Sequence, residues 1–246
     1  MSGHSKWANI KHKKGKADAL RGKITTKISN EITLAVRLGG ADPTGNMKLK
    51  LALTKAKANN VPKDNINRAI QKGLGGTDGA NWEEVTYEGY GPCGVALMVN
   101  CLTDNRNRTA ADIRHNFSHH GGNLGATGAV AWMFKRKGVF DIDKEKFPDL
   151  TEDDLMMMVL DAGAEDIKAD EAGFEVTCEP DAFEAVLSAL ESNKLECEVA
   201  EITMVPDNLT SLSPEDAAKV QKLLDDLEES DDVQDVFHNA DLPDEE

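Results

Sequence analysis

The chain has 246 residues and carries 28 lysines and arginines against 44 acids, a net charge of −16 with a pI near 4.8. No stretch approaches 18 consecutive apolar residues, which argues against a membrane span. The four cysteines (Cys93, Cys101, Cys178, Cys197) form no CxxC pair, which argues against a zinc knuckle or a secreted disulfide framework and points to a reducing cytoplasm.

The overall acidity conceals a basic beginning. Residues 1–76 hold 13 lysines and 3 arginines against 4 acids, a net +12, whereas residues 77–246 hold 12 bases against 40 acids, a net −28. Such a block is the electrostatic footprint of a polyanion binder, with phosphate the commonest partner. Its densest part supplies Lys6, Lys11, Lys13, Lys14 and Lys16 before the first acid, Asp18, and continues through Arg21, Lys23 and Lys27. These cations are the candidate phosphate ligands. Asn9 and His12 add neutral donors that reach phosphate or base edges. Trp7 either stacks on an unpaired base or anchors the arm to the domain core. No apolar h-region follows the basic start, so a signal peptide is not expected.

From Ala17 to Leu38 the apolar residues Leu20, Ile24, Ile28, Ile32, Ala35 and Val36 recur at helical spacing, and Gly39-Gly40 end the run. A second helix is predicted from about Asn46 to Asn59, and a third from Pro62 to Gly73. Residues 73–79 read as a flexible linker. None of the three helices offers an evident Asn/Arg/Gln face for a major groove.

The period then changes. Residues 85–90 and 95–99 flank Gly91-Pro92-Cys93-Gly94 as a β-hairpin, a helix follows over 106–119 with Gly121-Gly122 as its cap, and Trp132-Met133-Phe134 read as a short buried strand. From Lys135 the order is strand (138–142), helix (from Thr151), strand pair (166–169 and 174–178), helix (181–191) and strand (197–204). That βαββαβ order is ferredoxin-like. A last helix and strand, from Ser213 to Phe237, need a sheet to join, and the middle region lacks a final helix and strand.

The fold expected is therefore α+β, with an N-terminal basic three-helix domain followed by two α/β (ferredoxin-like) domains, one inserted in the other. The basic helical domain is 1–76, the discontinuous α/β domain is 77–134 plus 206–246, and the inserted domain is 135–205.

Several motifs carry a family resemblance. Gly3-His4-Ser5-Lys6-Trp7-Ala8-Asn9-Ile10-Lys11-His12, Val61-Pro62-Lys63-Asp64-Asn65-Ile66 and Tyr87-Glu88-Gly89-Tyr90-Gly91-Pro92 stand in this order. Thr103-Asp104-Asn105-Arg106-Asn107-Arg108-Thr109, His120-Gly121-Gly122-Asn123-Leu124-Gly125 and Val130-Ala131-Trp132-Met133-Phe134 follow. Together they resemble the YebC family along essentially the whole chain. The resemblance implies a three-domain, non-enzymatic protein, commonly described as a probable transcriptional regulator that binds DNA. It also points to mitochondrial relatives that activate translation of cytochrome c oxidase, and to bacterial members linked to the ribosome. Two departures are small: Cys93 stands where a Gly is usual, and Lys14-Gly15-Lys16-Ala17 is more basic than the commoner pattern.

Other groupings have plain readings. His115, His119 and His120 lie at helical spacing, but only Asp112 is within reach and no thiol is near, so no metal is expected. Gly121–Gly128 looks like a phosphate-cradling loop, yet it lacks the Gly-Lys-Ser/Thr ending and follows a helix. Met156-Met157-Met158 read as core. No Ser, Cys or Thr stands in a nucleophile context, so neither an enzyme nor a cofactor nor a small-molecule substrate is expected. Arg106, Arg108 and Arg114 are 3 of the 12 bases in the acidic part. They are either secondary nucleic-acid contacts or ion pairs with Asp104, Glu88 and Asp112. The partners expected are nucleic acid (DNA or ribosomal RNA) and the ribosome, in the cytoplasm, with no membrane.

Overall fold

A computed structural model describes residues 17–75, 82–170 and 172–242, with side chains described from Gly22 onward in the first segment. They fall into two compact units, one of Lys135–Val205 and one of Ala17–Phe134 with the chain from Pro206 onward.

The larger unit begins with three helices, α1 (Ala17–Gly39), α2 (Met47–Ala58) and α3 (Lys63–Gly75). Ile28, Ile32, Ala35, Val36, Leu49, Ala52, Ala56, Val61 and Ala69 form their shared core, as the apolar spacing requires. Asn46 joins two helix ends. Its Oδ1 accepts the Leu49 amide at 3.1 Å to cap α2, while its Nδ2 donates to the Ala35 and Gly40 carbonyls, each at 2.8 Å. Gly73, read from sequence as the point where the third helix meets the linker, lies buried inside α3, which runs on to Gly75. A Cβ there would lie 2.7 Å from Val36 Cβ, so α1 and α3 approach closely only because that position is glycine.

The same unit continues with a sheet ordered β3-β1-β2-β9, built from β1 (Glu83–Tyr90), β2 (Ala96–Thr103), β3 (Asn123–Leu124) and the distant β9 (Val233–His238). β1 and β2 pair antiparallel from Glu83↔Thr103 to Tyr90↔Ala96. β9 pairs antiparallel with β2, with a bulge at Asn100/Cys101. Helices α4 (Arg106–His119) and α7 (Pro214–Glu229) pack one face through Ile113, Phe117, Val220, Leu223, Leu224 and Leu227. The hairpin turn holds Cys93 at φ 61°, a left-handed conformation that glycine adopts without strain.

The smaller unit is a four-stranded antiparallel sheet ordered β5-β6-β4-β7, from β4 (Phe134–Asp143), β5 (Ala164–Ala169), β6 (Gly173–Cys178) and β7 (Val199–Pro206). Helices α5 (Glu152–Val159) and α6 (Phe183–Ser192) complete the βαββαβ order. Thr151 and Asp154 form a reciprocal capping box at the start of α5. Phe140 of β4 stacks on Phe183 of α6 at 4.7 Å. Outside both sheets, β8 (Thr210–Ser211) and β10 (Ala240–Asp241) form a short parallel pair in the larger unit.

Two expectations are corrected. Trp132-Met133-Phe134 is not a buried strand: Ala131–Met133 form a 3₁₀ turn, Trp132 is 73% exposed, and Phe134 alone is buried, where β4 starts. The methionine run is not core either. Met157 is 74% exposed, and Leu155 and Val159, one turn apart, form the buried stripe of α5.

Candidate nucleic-acid interface

Lys6, Trp7, Asn9, Lys11, His12, Lys13, Lys14 and Lys16 lie outside the described residues, and Arg21 is described only through the backbone of α1. Lys23 and Lys27 are described, and both are engaged. Lys23 Nζ donates to the Glu229 carbonyl at 2.9 Å, and Lys27 Nζ to the Glu228 carbonyl at 2.7 Å. Those carbonyls close α7, whose last turn contains no base of its own. The two ammonium groups thus satisfy orphan acceptors at the negative end of a helix dipole.

Lysines of α2 also face acids of the sheet. Lys48 Nζ pairs with Glu84 at 2.9 Å. Lys55 Nζ reaches Asp235 at 3.1 Å and Glu31 at 3.4 Å. Burial opposes the charge on Lys55, but Asp235 and Glu31 overcome it and hold the ammonium well above the ordinary lysine range.

Arg108 joins the same acidic segment. Its guanidinium donates to Asp104 at 3.0 Å and to both oxygens of Asp232 at 3.0 and 2.9 Å. Asp232 also accepts the Thr109 hydroxyl at 2.7 Å. Lys23, Lys27 and Arg108 therefore converge on residues 228–232 of their own chain. Arg106 and Arg114 are exposed and make no ion pair among the described residues. Glu88 is not an arginine partner at all.

This division gives an expected outcome. Arg108→Ala is expected to lower the melting temperature only modestly, since the arginine side chain is half exposed and Asp232 keeps its threonine donor. Arg106→Ala with Arg114→Ala is expected to leave the melting temperature in place and to weaken nucleic-acid binding roughly five- to tenfold per residue near 0.1 M salt. Calorimetry and binding titrations check both halves, and the opposite pattern would assign Arg108 to the ligand.

Sequence reasoning missed the solvent side of α3. Ile66 and Ile70 pack partly against the bundle core and Ala69 and Gly73 are buried, leaving Lys63, Asn67, Arg68, Gln71 and Lys72 exposed. Asn67, Arg68 and Gln71 are thus presented together, contrary to the expectation that no helix offers such a face. Arg68 bends back, its Nε donating to the Asp64 carbonyl at 3.2 Å and its Nη2 to Asn65. Lys57, Lys63 and Lys72 make no ion pair among the described residues. The signal was available: these are the positions left over once the i, i+3, i+4, i+7 stripe is turned inward.

The glycine-rich loop after α4 is an anion cradle that the protein fills itself. Glu88 is buried, and its carboxylate accepts the amides of Gly128, Val130 and Ala131 at 2.7, 2.9 and 2.8 Å. Burial pushes this carboxyl up, yet the three amides outweigh burial and hold it below the usual glutamate range. Tyr90 and Trp132 border the loop: the Trp132 Nε1–H donates to the Ala129 carbonyl at 3.2 Å, and the Tyr90 hydroxyl reaches the same oxygen at 3.4 Å.

The chain is similar to known proteins over its whole length. Residues 5–76 match the TACO1/YebC protein N-terminal domain, and residues 82–240 match the TACO1/YebC second and third domain. The chain belongs to the YebC family. A relative from Clostridium acetobutylicum, named a probable transcriptional regulatory protein, is 58% identical over 242 residues, covering 98% of each chain. One of the same description from Cupriavidus taiwanensis is 55% identical over 245 residues, covering 99% of this chain and all of the relative. A crystal structure of a conserved hypothetical protein from Aquifex aeolicus superposes with a TM-score of 0.85 at 45% identity, covering 98% of each chain.

Burial pushes the Cys101 and Cys197 thiols up to about 12 and the Cys178 thiol up to about 11, so they stay protonated at neutral pH. His115 and His119 stack at 5.8 Å, and His120 Nε2 lies 2.7 Å from Asp226. Among the described residues, no group of three or more His, Cys, Asp or Glu is placed to hold a metal. No described helix is long and apolar enough to cross a membrane.

Proposed function

We propose that this YebC-family chain is a non-enzymatic, cytoplasmic nucleic-acid-binding regulator of gene expression, and that DNA is its first target. The observation that carries the reading is the +12 block of residues 1–76 in a chain of net −16. Within that block Lys63 and Lys72 are exposed on the same helix as Asn67 and Gln71, and Lys57 is exposed on α2. Asn and Gln pair with adenine edges, and lysine holds phosphate without reading sequence. The names of the relatives favour transcription.

A second reading, an RNA-binding translation factor acting on the ribosome, draws support from the arm itself. Five lysines and no arginine precede residue 17. Lysine is a point charge suited to crowded phosphates, whereas the bidentate arginine fork is the usual guanine reader.

One comparison decides between them. A transcriptional regulator is expected to bind its cognate DNA at least ~10³-fold tighter than random duplex at physiological salt. Crosslinking in cells, followed by sequencing of the bound nucleic acid, supplies the cognate sequence, and a footprint on it measures the ratio. Weak, uniform binding to every duplex together with co-sedimentation on ribosomes would overturn the DNA reading in favour of the second.

A further inference from the structure

Trp132 is 73% exposed and Tyr90 is 38% exposed, yet neither ring hangs loosely. Both polar atoms meet at the Ala129 carbonyl, at 3.2 and 3.4 Å. The turn beneath is fixed by the Glu88 carboxylate, by the Met133 amide on the Val130 carbonyl at 2.9 Å, and by the Asp207 amide on the Met133 carbonyl at 2.9 Å. An indole left uncovered forfeits a large burial energy. A turn with this many bonds that still directs the ring outward presents it to something else.

The placement of the rings says what. Side chains alternate along a strand, so Glu84, Thr86, Glu88 and Tyr90 of β1 share one face. Glu84 on that face takes Lys48 of the basic bundle, and Glu88 takes the loop that bears Trp132. The bundle and the aromatic pair thus occupy the same side of the sheet, separated by about 20 Å of strand. A polyanion lying on the bundle passes within reach of two flat π surfaces.

We infer that Trp132, with Tyr90 beside it, is a stacking platform for an unpaired nucleobase of a strand whose phosphates are held by the basic bundle. The inference rests on the nucleic-acid reading above and adds to it a preference for single strands. Stacking accepts any base and needs no groove, so the platform selects for strandedness and not for sequence. The unpaired base comes either from single-stranded DNA or from an RNA loop.

The test uses the full chain and three labelled probes of one mixed sequence: single-stranded DNA, single-stranded RNA and the blunt DNA duplex. Anisotropy titrations at several salt concentrations compare the wild type with Trp132→Ala and Trp132→Phe. Trp132→Ala is expected to weaken single-strand binding about 5- to 150-fold, with duplex binding, salt slope and melting temperature unchanged. Trp132→Phe is expected to recover most of the loss. The single strand that loses more identifies the source of the base. Equal binding by wild type and Trp132→Ala on all three probes overturns the platform and leaves the broader reading intact. Loss of self-association in sedimentation, with binding intact, overturns it in favour of an interface between copies. Failure of the wild type to bind any probe removes the broader reading and the platform together.

Discussion

Glu88→Ala is expected to destabilise the larger unit by about 3–5 kcal/mol. It removes a buried carboxylate that accepts three amides and leaves the buried Val130 amide without a partner. For a chain of this size the melting midpoint falls by roughly 2–4 °C per kcal/mol. The pH dependence has a definite sign. The folded-state pKa lies below the ordinary value, so the charged carboxylate contributes its full stability above about pH 4.3. That contribution is lost as the pH falls through the lowered value. The gap in melting temperature between wild type and variant is therefore expected to be constant near neutrality and to narrow under acid. A gap that widens on acidification would show that Glu88 is not held as the anion.

The largest effect on binding is expected from reversing Lys11, Lys13, Lys14 and Lys16 to Glu, which takes the block of residues 1–76 from +12 to +4. If each lysine neutralises one phosphate, the slope of log K against log salt on duplex DNA becomes shallower by about 3.6. Affinity near 0.1 M salt then falls by ~10³-fold or more. Folding is expected to be intact by circular dichroism, because helical packing rests on residues from Ile24 onward. Unchanged affinity in this variant would place the ligand elsewhere and refute the arm as the seat of binding.

What the sequence disclosed and what it withheld follow one division. The helices, the hairpin and the inserted βαββαβ sheet were legible because their determinants are local: spacing of Ile28, Ile32 and Val36, the cap at Thr151, the turn at Gly91–Gly94. The partners of the charged groups were not. Arg108 meets Asp232 across 124 positions, and Lys23 and Lys27 meet α7 across 206 and 201. No periodicity encodes a contact at that separation, so cations that looked alike in sequence divide into those that fasten the protein to itself and those left exposed on α3 and α4. Trp132 illustrates the opposite error. Its neighbours Val130 and Phe134 are apolar and buried, while the turn that Glu88 and the Met133 bonds hold leaves its ring exposed. The glycine-rich loop takes the carboxylate of Glu88, which stands 40 to 43 residues upstream and is disclosed by no local pattern.

The distance between β2 and β9 also has a consequence for synthesis. At about 5–20 residues per second, translation needs roughly 7–26 s after Thr103 before Val233 is made. Throughout that interval the apolar strand Ala96–Thr103 has an unpaired edge, and Lys23 and Lys27 have no helix end to cap. The smaller unit, contiguous in sequence, is complete by Val205 and can fold in the meantime. The nascent chain therefore passes through a stage in which α1 lacks the α7 carbonyls and β2 lacks its second strand neighbour, and release of the last forty residues supplies both at once.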